Sequence, residues 1–449
     1  MENNAKIYLS KNIVEIPIDN EFEVVYRKDK YKPMCVKKSI IENWEKCNSK
    51  VIEKLLEKGI LIVGEDVEAD IPNEIRRLRA NYHDNTLEIR MVASYLCDEA
   101  CSYCLAGNAM KNCKDVFDIE WIDNLCDVTS YFLGLHKEIN TISFTFIGGE
   151  PLLDVNWNVY KSLLDKFRER FCDNKVITRV ITNGNKLKNR DFSGYLSYID
   201  EIYLSYDIRG HINDQSQPIQ RNNDRPFLEL LQELLENFST VTLDFKINEF
   251  STISKDSIFF DRIKTISKKY GKKLVLAASP IVTLEEFDPY HRKHVGKYDL
   301  RELSERNSIN ALRELKEYYG EYFAFWPRME ECAVYRCKSA NNHTLMVYPN
   351  GKVSICGKLY TNTSGEVPII ADLKNGGKIN ENMLINEDTI LEDDECMNCD
   401  YYFVCGGKCP LMSDSTCDEE KIIARLFIEV AAKYEIEKRM RKTNGGNKD

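Results

Sequence analysis

No stretch of the chain approaches the ~18 consecutive apolar residues that a membrane helix needs, so no span is expected. The opening residues MENNAKIYLSKNIVEIPID hold no apolar h-region, and a secretory signal is not expected either. There is no internal repeat and no low-complexity tract. Positive charge is short: 62 Lys and Arg stand against 72 Asp and Glu, for a net charge of −10. That balance argues against nucleic acid as the main partner, because phosphate contacts need clustered Lys and Arg. Disorder is excluded by the 24 Tyr, 19 Phe and 4 Trp, too many for a solvated coil. At ~150 residues per domain, the length suggests about three domains.

Cysteine, in contrast, is plentiful, with 16 residues, and it is clumped. Three fall within Cys97 to Cys104, and eight within Cys332 to Cys417. In a cytoplasmic protein the thiols stay reduced. Clumping in a reducing compartment points to metal or iron–sulfur ligation.

Residues 1–80 read as a small unit of their own. Strands are expected at 12–18 and 22–28, where Phe22, Val24 and Tyr26 alternate with polar residues. Asp29-Lys30 and Pro33 read as a break. Ser39 can cap a helix with Ile40, Ile41 and Trp44, and a second helix over 50–58 ends at Gly59 before the strand Ile60–Val63. That order is winged-helix-like; the alternative is an extension packed on the main domain.

Residues 86–320 alternate strand and helix, with apolar runs at 87–93, 141–147, 176–182, 202–206, 241–247 and 274–278. Helical periods fill 118–137, 155–171, 226–237 and 301–319. Six such units predict an α/β fold: a parallel sheet closing as a partial (β/α)6 barrel. Residues 328–417 have too little apolar material for a large core, so metal must help hold them. An amphipathic helix and a polar tail complete 418–449.

The first constellation is Cys97-x3-Cys101-x2-Cys104, just after the first barrel strand. Three thiolates on one short loop can hold a cuboidal cluster and leave one iron open, as catalytic metal sites do. Zinc would want a His beside them, and His83 and His136 are the nearest in sequence. The next strands end in Gly148-Gly149-Glu150-Pro151, in Asn183-Gly184, and in Ser205-Tyr206-Asp207. All lie at the C-terminal ends of parallel strands, where such sheets bind ligands. The paired glycines are expected to let a ligand approach the backbone.

These residues, with Tyr103 before the last Cys of the loop, resemble the radical S-adenosylmethionine superfamily over roughly 86–280. The resemblance implies a 4Fe–4S cluster on Cys97, Cys101 and Cys104, its open iron chelated by S-adenosylmethionine. It implies that Gly148, Gly149 and Glu150 contact the methionyl amino group, and that Asn183 and Ser205 line the cofactor. One departure stands out: the run Ser205-Tyr206-Asp207-Ile208 replaces the SLDG of similar enzymes, leaving Arg221 and Arg225 as candidates for the cofactor carboxylate.

The second constellation is Cys337-x13-Gly351-x4-Cys356, then Cys396-x2-Cys399-x5-Cys405-x3-Cys409, then Cys417. Gly351 permits a tight hairpin. The pattern resembles the SPASM extension, which carries auxiliary clusters. That implies one cluster on Cys396, Cys399, Cys405 and Cys417, and another on Cys337, Cys356 and Cys409. Cys332 either closes the latter cluster or leaves it an open iron; closure is the expectation. Three 4Fe–4S clusters follow. Cys35, Cys47, Cys113, Cys126 and Cys172 are expected to be mostly inert.

Many enzymes of this pattern act on peptides, and residues 1–80 resemble the elements that bind leader peptides. The expected partner is therefore a ribosomally made precursor peptide, its leader added as a strand along Phe22–Arg27 beside Trp44. A flavodoxin or ferredoxin would donate electrons. The expected product is a Cys thioether crosslink. A carbon–carbon crosslink, an epimerised residue and a sulfatase-type formylglycine remain open, as does, outside enzymes, an electron carrier.

Overall fold

The computed structural model describes residues 6–67, 70–80, 84–99, 104, 113–189, 191–207, 224–247, 258–280, 311–324, 342–356, 368–384, 396, 399–405 and 417–444. Two compact units divide the chain: one of residues 1–83, 326–337 and 386–449, the other of 84–325 and 338–385.

In the first unit, β1 (Ile7–Leu9) pairs antiparallel with the later strand Leu61–Val63. Beside that ribbon, β2 (Ile13–Pro17), β3 (Phe22–Arg27) and β4 (Lys30–Lys37) form a three-stranded antiparallel sheet in that order. Three helices follow, over Lys38–Glu42, Ser49–Glu57 and Ile71–Ala80, with the ribbon strand Leu61–Val63 (β5) before the last. Asn48 caps the second of them by accepting the Val51 amide at 3.0 Å.

The strand β4 corrects the sequence reading, which placed a break at Asp29-Lys30 and Pro33. The two-residue turn Lys28-Asp29 makes a hairpin, and Pro33 is tolerated because β4 is an edge strand. The reading of Phe22–Arg27 as the free edge is corrected by the same fact, since β3 is central. Nor does β3 alternate: Glu23 through Arg27 are all buried. Both faces of the sheet are covered. Val14, Ile16, Val24, Tyr26 and Cys35 pack on Ile428, Ala431, Ala432 and Ile436 of the helix Cys417–Asn444. Those helical positions recur at the spacing of one apolar stripe. Val25 and Val36 face the other way, onto Ile41, Leu55, Ile60 and Leu61.

The second unit is built on a nine-stranded sheet. Its six sequential strands are β6 (Thr86–Met91), β7 (Thr141–Phe146), β8 (Lys175–Thr182), β9 (Glu201–Asp207), β10 (Thr240–Ile247) and β11 (Leu274–Pro280). They pair in parallel in that order, which is the expected α/β arrangement. The next strand, β12 (Thr344–Val347), adds in parallel to the free edge of β6, and β13 (Lys352–Ser354) and β14 (Ile369–Asp372) continue antiparallel. Helices over Ile122–Leu135, Asp154–Arg170, Asp224–Asn237 and Ile258–Tyr270 connect the strands, and 311–319 is helical as well. Among its described residues the β8–β9 connection carries the short turn Lys186–Asn189 and further hydrogen-bonded turns over 192–199.

One face of this sheet is apolar: Leu87, Ile89, Phe144, Phe146, Val180, Ile202, Leu204, Leu243 and Phe245 are fully buried. The other presents Glu88, Arg90, Thr145, Arg179, Glu201, Tyr203, Asp244 and Lys246. Fully buried parallel strands read as continuous apolar runs, so this polar face marks the barrel interior. Its charges pair within it: Arg90 Nε with Glu88 at 2.9 Å, and Arg179 with Glu201 at 2.8 Å.

Candidate active site

The Cys97 loop leaves β6 at Met91 and is held by the side chains around it. Ala93 donates its amide to the Tyr160 hydroxyl at 3.0 Å, and Ser94 donates to Asn156 Oδ1 at 2.6 Å. Asn156 and Tyr160 are one helical turn apart on Asp154–Arg170, and Tyr160 stacks on Phe146 with ring centroids at 3.9 Å. A polar pair on the buried stripe of that helix was the sequence signal for this brace, and the sequence reading passed over it.

The glycine pair has a close neighbour within the chain itself. A Cβ on Gly149 would sit 1.9 Å from the Leu96 carbonyl oxygen, and one on Gly148, whose φ is +118°, would sit 2.5 Å from Val92 Cγ1. Here the close neighbour is the chain's own cysteine loop. Gly149 and Glu150 donate their amides to the Ser94 and Leu96 carbonyls at 3.2 and 2.8 Å. The loop thereby lies directly on the end of β7.

Glu150 is 1% exposed. Its carboxylate accepts from the Leu152 amide at 3.0 Å, the Thr182 hydroxyl at 2.7 Å and the Asn183 amide at 2.9 Å. Burial pushes the Glu150 carboxyl up to about 7, while those three hydrogen bonds pull it down. The side chain thus ties the end of β7 to that of β8. Asn183 in turn donates to Asp98 at 2.8 Å, and Asn185 to Glu99 at 2.7 Å. Thr182, Asp98 and Glu99 were not singled out from the sequence; Thr182 and Asp98 lie beside residues that were, and Glu99 lies two positions from both Cys97 and Cys101. Ser205 lies near the end of β9, in register with Asp244 of β10.

Cys97 is half-buried, and its sulfur accepts the Glu99 amide at 3.4 Å. Burial pushes its thiol up to about 12, and the Glu150, Asp98 and Cys104 charges push the same way. A thiol so placed becomes a thiolate only against a cation. Cys104 packs with Val92, Tyr95, Met346 and Tyr348, and Cys113 lies in the same cluster. Neither Cys97 nor Cys104 is in a disulfide. Reduced thiols on a braced loop, beside glycines that bring it onto the strand ends, fit a cluster. Cys101 lies outside the described residues, as does Arg221; Arg225 falls in the first turn of Asp224–Asn237.

Of the second constellation, Cys356 is buried just after β13. Gly351 makes the preceding hairpin with φ +78°, and a Cβ there would also sit 2.9 Å from Trp121. Cys396, Cys399 and Cys405 belong to the other unit. Cys399 donates its amide to the Cys396 carbonyl at 3.1 Å and accepts the Tyr401 amide on its sulfur at 3.4 Å. Such amide-to-sulfur bonds suit metal-bound thiolates. This segment packs on the N-terminal sheet: Tyr402 and Phe403 meet Ile71 and Tyr31, Lys28 pairs with Asp400 at 2.7 Å, and Tyr26 donates to the Asp400 carbonyl. Cys332, Cys337 and Cys409 lie outside the described residues, and Cys417 opens the C-terminal helix. Cys35 and Cys126 are buried, their thiols pushed up to about 11 and about 12 by burial.

Residues 90–223 match the family model of a 4Fe-4S single cluster domain. No curated protein matches the chain. Among solved structures it is similar to a histidine-tagged anSMEcpe with bound AdoMet, at 16% identity, covering 78% of this chain and 98% of that one with a TM-score of 0.50. SuiB of Streptococcus suis bound to precursor peptide SuiA is 15% identical, over 90% of this chain and 96% of that one, with a TM-score of 0.42. The Escherichia coli coproporphyrinogen III oxidase HemN, described as a radical SAM enzyme, is 12% identical over 64% of each chain, with a TM-score of 0.34. The family model and the fold agree with the resemblance drawn from the cysteines: a 4Fe-4S domain match lies within a mostly parallel α/β sheet whose fold is similar to that of the AdoMet-bound structure.

Proposed function

We propose that the chain is a radical S-adenosylmethionine maturase that abstracts hydrogen from a ribosomally made precursor peptide and closes a Cys thioether crosslink. The observation that carries the reading is the docking of the Cys97 loop on Gly148–Glu150 at the C-terminal ends of the parallel strands. Cys97, Cys101 and Cys104 would hold a 4Fe–4S cluster, and Gly148, Gly149, Glu150, Asn183 and Ser205 the S-adenosylmethionine. When bound, the pair supplies a 5′-deoxyadenosyl radical able to take hydrogen from an unactivated carbon.

The chain's own residues do the rest. Glu150 and Asn183 keep the cysteine loop and two strand ends in one fixed geometry. The charged interior wall of Glu88, Arg90, Arg179 and Glu201 offers donors and acceptors to a polar substrate and orients it. The cysteines from Cys332 to Cys417 would carry two further 4Fe–4S clusters; these could accept the electron left after crosslinking, and the one on Cys337, Cys356 and Cys409 would engage the substrate thiolate only if Cys332 left its fourth iron open. A flavodoxin or ferredoxin would supply the first electron, and a reducing cytoplasm suits the thiols.

The peptide's leader would add as a further strand along β4; that β4 is an edge strand of the N-terminal sheet supports this reading. Holding the leader there raises the effective concentration of the core peptide at the site. The test is anaerobic incubation of the iron-loaded chain with S-adenosylmethionine, a reductant and any short Cys-containing peptide found encoded beside its gene. A mass loss of about 2 Da in the peptide, with the Cys no longer alkylated, is expected. Hydrogen exchange should slow at the amides of β4 when the leader alone is added. An unmodified peptide with 5′-deoxyadenosine still formed rejects the peptide substrate but leaves the radical chemistry standing.

A further inference from the structure

The chain has only 6 histidines, yet two of them, 207 positions apart in sequence, meet beside a carboxylate. Ligand atoms of His136, Glu138 and His343 all lie within 4.8 Å of one another. His136 Nδ1 is 3.5 Å from Glu138 Oε1, and His343 Nε2 is 3.7 Å from the same oxygen. The two rings sit edge to face with centroids 4.5 Å apart. The other ring nitrogen of His343 faces Asp84 Oδ2 at 4.0 Å.

We propose that His136, Glu138 and His343 form a binding site for a zinc-class divalent cation, with Asp84 orienting His343 behind it. The proposal is independent of the function argued above. Ligands at ~2.0–2.1 Å from a tetrahedral zinc stand ~3.3 Å apart. The two nitrogen–oxygen separations are already within half an ångström of that. Two imidazoles and one carboxylate are a donor set that zinc takes, and a carboxylate behind the ring is the usual way a ligating histidine is aimed. Water would fill the fourth position, reaching it past Glu138, which is half-exposed. The other ring nitrogen of His136, Nε2, is buried and has no hydrogen-bond partner among the described residues.

The backbone fixes these residues before any ion arrives. His136 ends the helix Ile122–Leu135, donating its amide to Phe132 at 3.0 Å, and its carbonyl accepts the Ile139 amide at 3.1 Å. Asp84 Oδ1 accepts the Thr86 amide at 3.0 Å, which turns Oδ2 toward His343. Asn342 is left-handed, with φ +56°, and brings His343 in just before β12, where its carbonyl accepts the Glu88 amide at 2.9 Å.

The site thus joins the N-terminal ends of β6, β7 and β12. Strand β6 is 6 residues long, so at ~3.3 Å per residue this lies ~20 Å from the cysteine loop at the other end. Conserving geometry at that end of a barrel serves stability rather than chemistry. A cation here would staple β12, which enters the sheet far along the chain, to the first two strands.

The test uses the fully iron-loaded chain, stripped of loosely held metal and dialysed against micromolar zinc, with zinc and iron counted on the same sample. One zinc per chain is expected. Glu138→Gln, at a half-exposed position that cannot disturb the core, and His343→Ala should each weaken zinc uptake at least tenfold with iron unchanged. Asp84→Asn should weaken it by about 10- to 100-fold. Zinc should raise the thermal midpoint of the parent chain and leave that of Glu138→Gln where it was. Equal zinc uptake by parent and Glu138→Gln, or none by the parent, overturns the proposal.

Discussion

Thr182 Oγ1 donates a 2.7 Å hydrogen bond to Glu150 Oε1, so a buried carboxylate at the end of one strand is held by a hydroxyl on the next. The same Thr182 oxygen accepts the Gly184 amide at 3.0 Å. Replacing Thr182 with Val keeps the shape and removes both bonds. A lost hydrogen bond to a buried charged group costs about 1.5–3 kcal/mol. Urea unfolding of the Thr182→Val chain should show a loss in that range; a loss below ~0.5 kcal/mol would mean the bond contributes little.

The Glu150 carboxyl, raised to about 7 from its usual 4.5, gives the site a pH dependence whose sign is fixed. Below the usual value the group is protonated folded or unfolded. Between the two values only the folded chain keeps the proton, so this group's contribution to stability is lost as pH rises through about 7. Binding of an ammonium-bearing cofactor goes the other way, because it favours the carboxylate. Affinity for S-adenosylmethionine should therefore rise about tenfold from pH 6 to pH 8. Calorimetric titration at the two pH values checks it, and Glu150→Gln should flatten the difference.

Gly149→Ala should displace the cysteine loop, since the added methyl would lie 1.9 Å from a backbone oxygen with no flexible side chain to give way. The expected result is loss of about four iron atoms per chain, with the remaining iron kept. Iron and sulfide analysis reads it directly. Full iron content in the variant would show that the loop can move without losing its cluster.

The intact chain, loaded without oxygen, should hold about 12 iron atoms. Replacing Cys97, Cys101 and Cys104 together with Ala should leave about eight and abolish 5′-deoxyadenosine formation. Measuring about four irons in the parent would rule out three clusters; 5′-deoxyadenosine from the triple variant would rule out the assigned loop.

Removing residues 1–80 should make the chain insoluble. It would uncover Ile428, Ala431, Ala432 and Ile436 on the C-terminal helix and the Tyr402–Phe403 segment together. Soluble, monomeric truncated protein on size exclusion would show that those surfaces find other cover.

The parallel strands were legible to within a residue or two because each is an apolar run between turn signals, and register follows from alternation. The cysteine loops stand out in the sequence by their spacing alone. What was not legible depends on distance in the chain. Strand β4 hides behind Pro33, which looks like punctuation unless the strand is known to be an edge. The closeness of Leu96 to Gly149 was hidden too, because nothing in SFTFIGGEP says that the cysteine loop will lie against it. His136 and His343 carry no local pattern; only the pairing of β12 with β6 brings them together.

The N-terminal sheet shares its core with the last helix, and this orders events on the ribosome. Strands β2, β3 and β4 emerge first, but the helix that closes over Val14, Ile16, Val24 and Tyr26 begins about 380 residues after β4 ends. At ~5–20 residues per second, that is a delay of roughly 20–80 s. Throughout it the sheet offers an uncovered greasy face to whatever is near, and a holding chaperone is its natural companion. A transcript cut short anywhere before Cys417 yields a nascent chain whose first domain never closes.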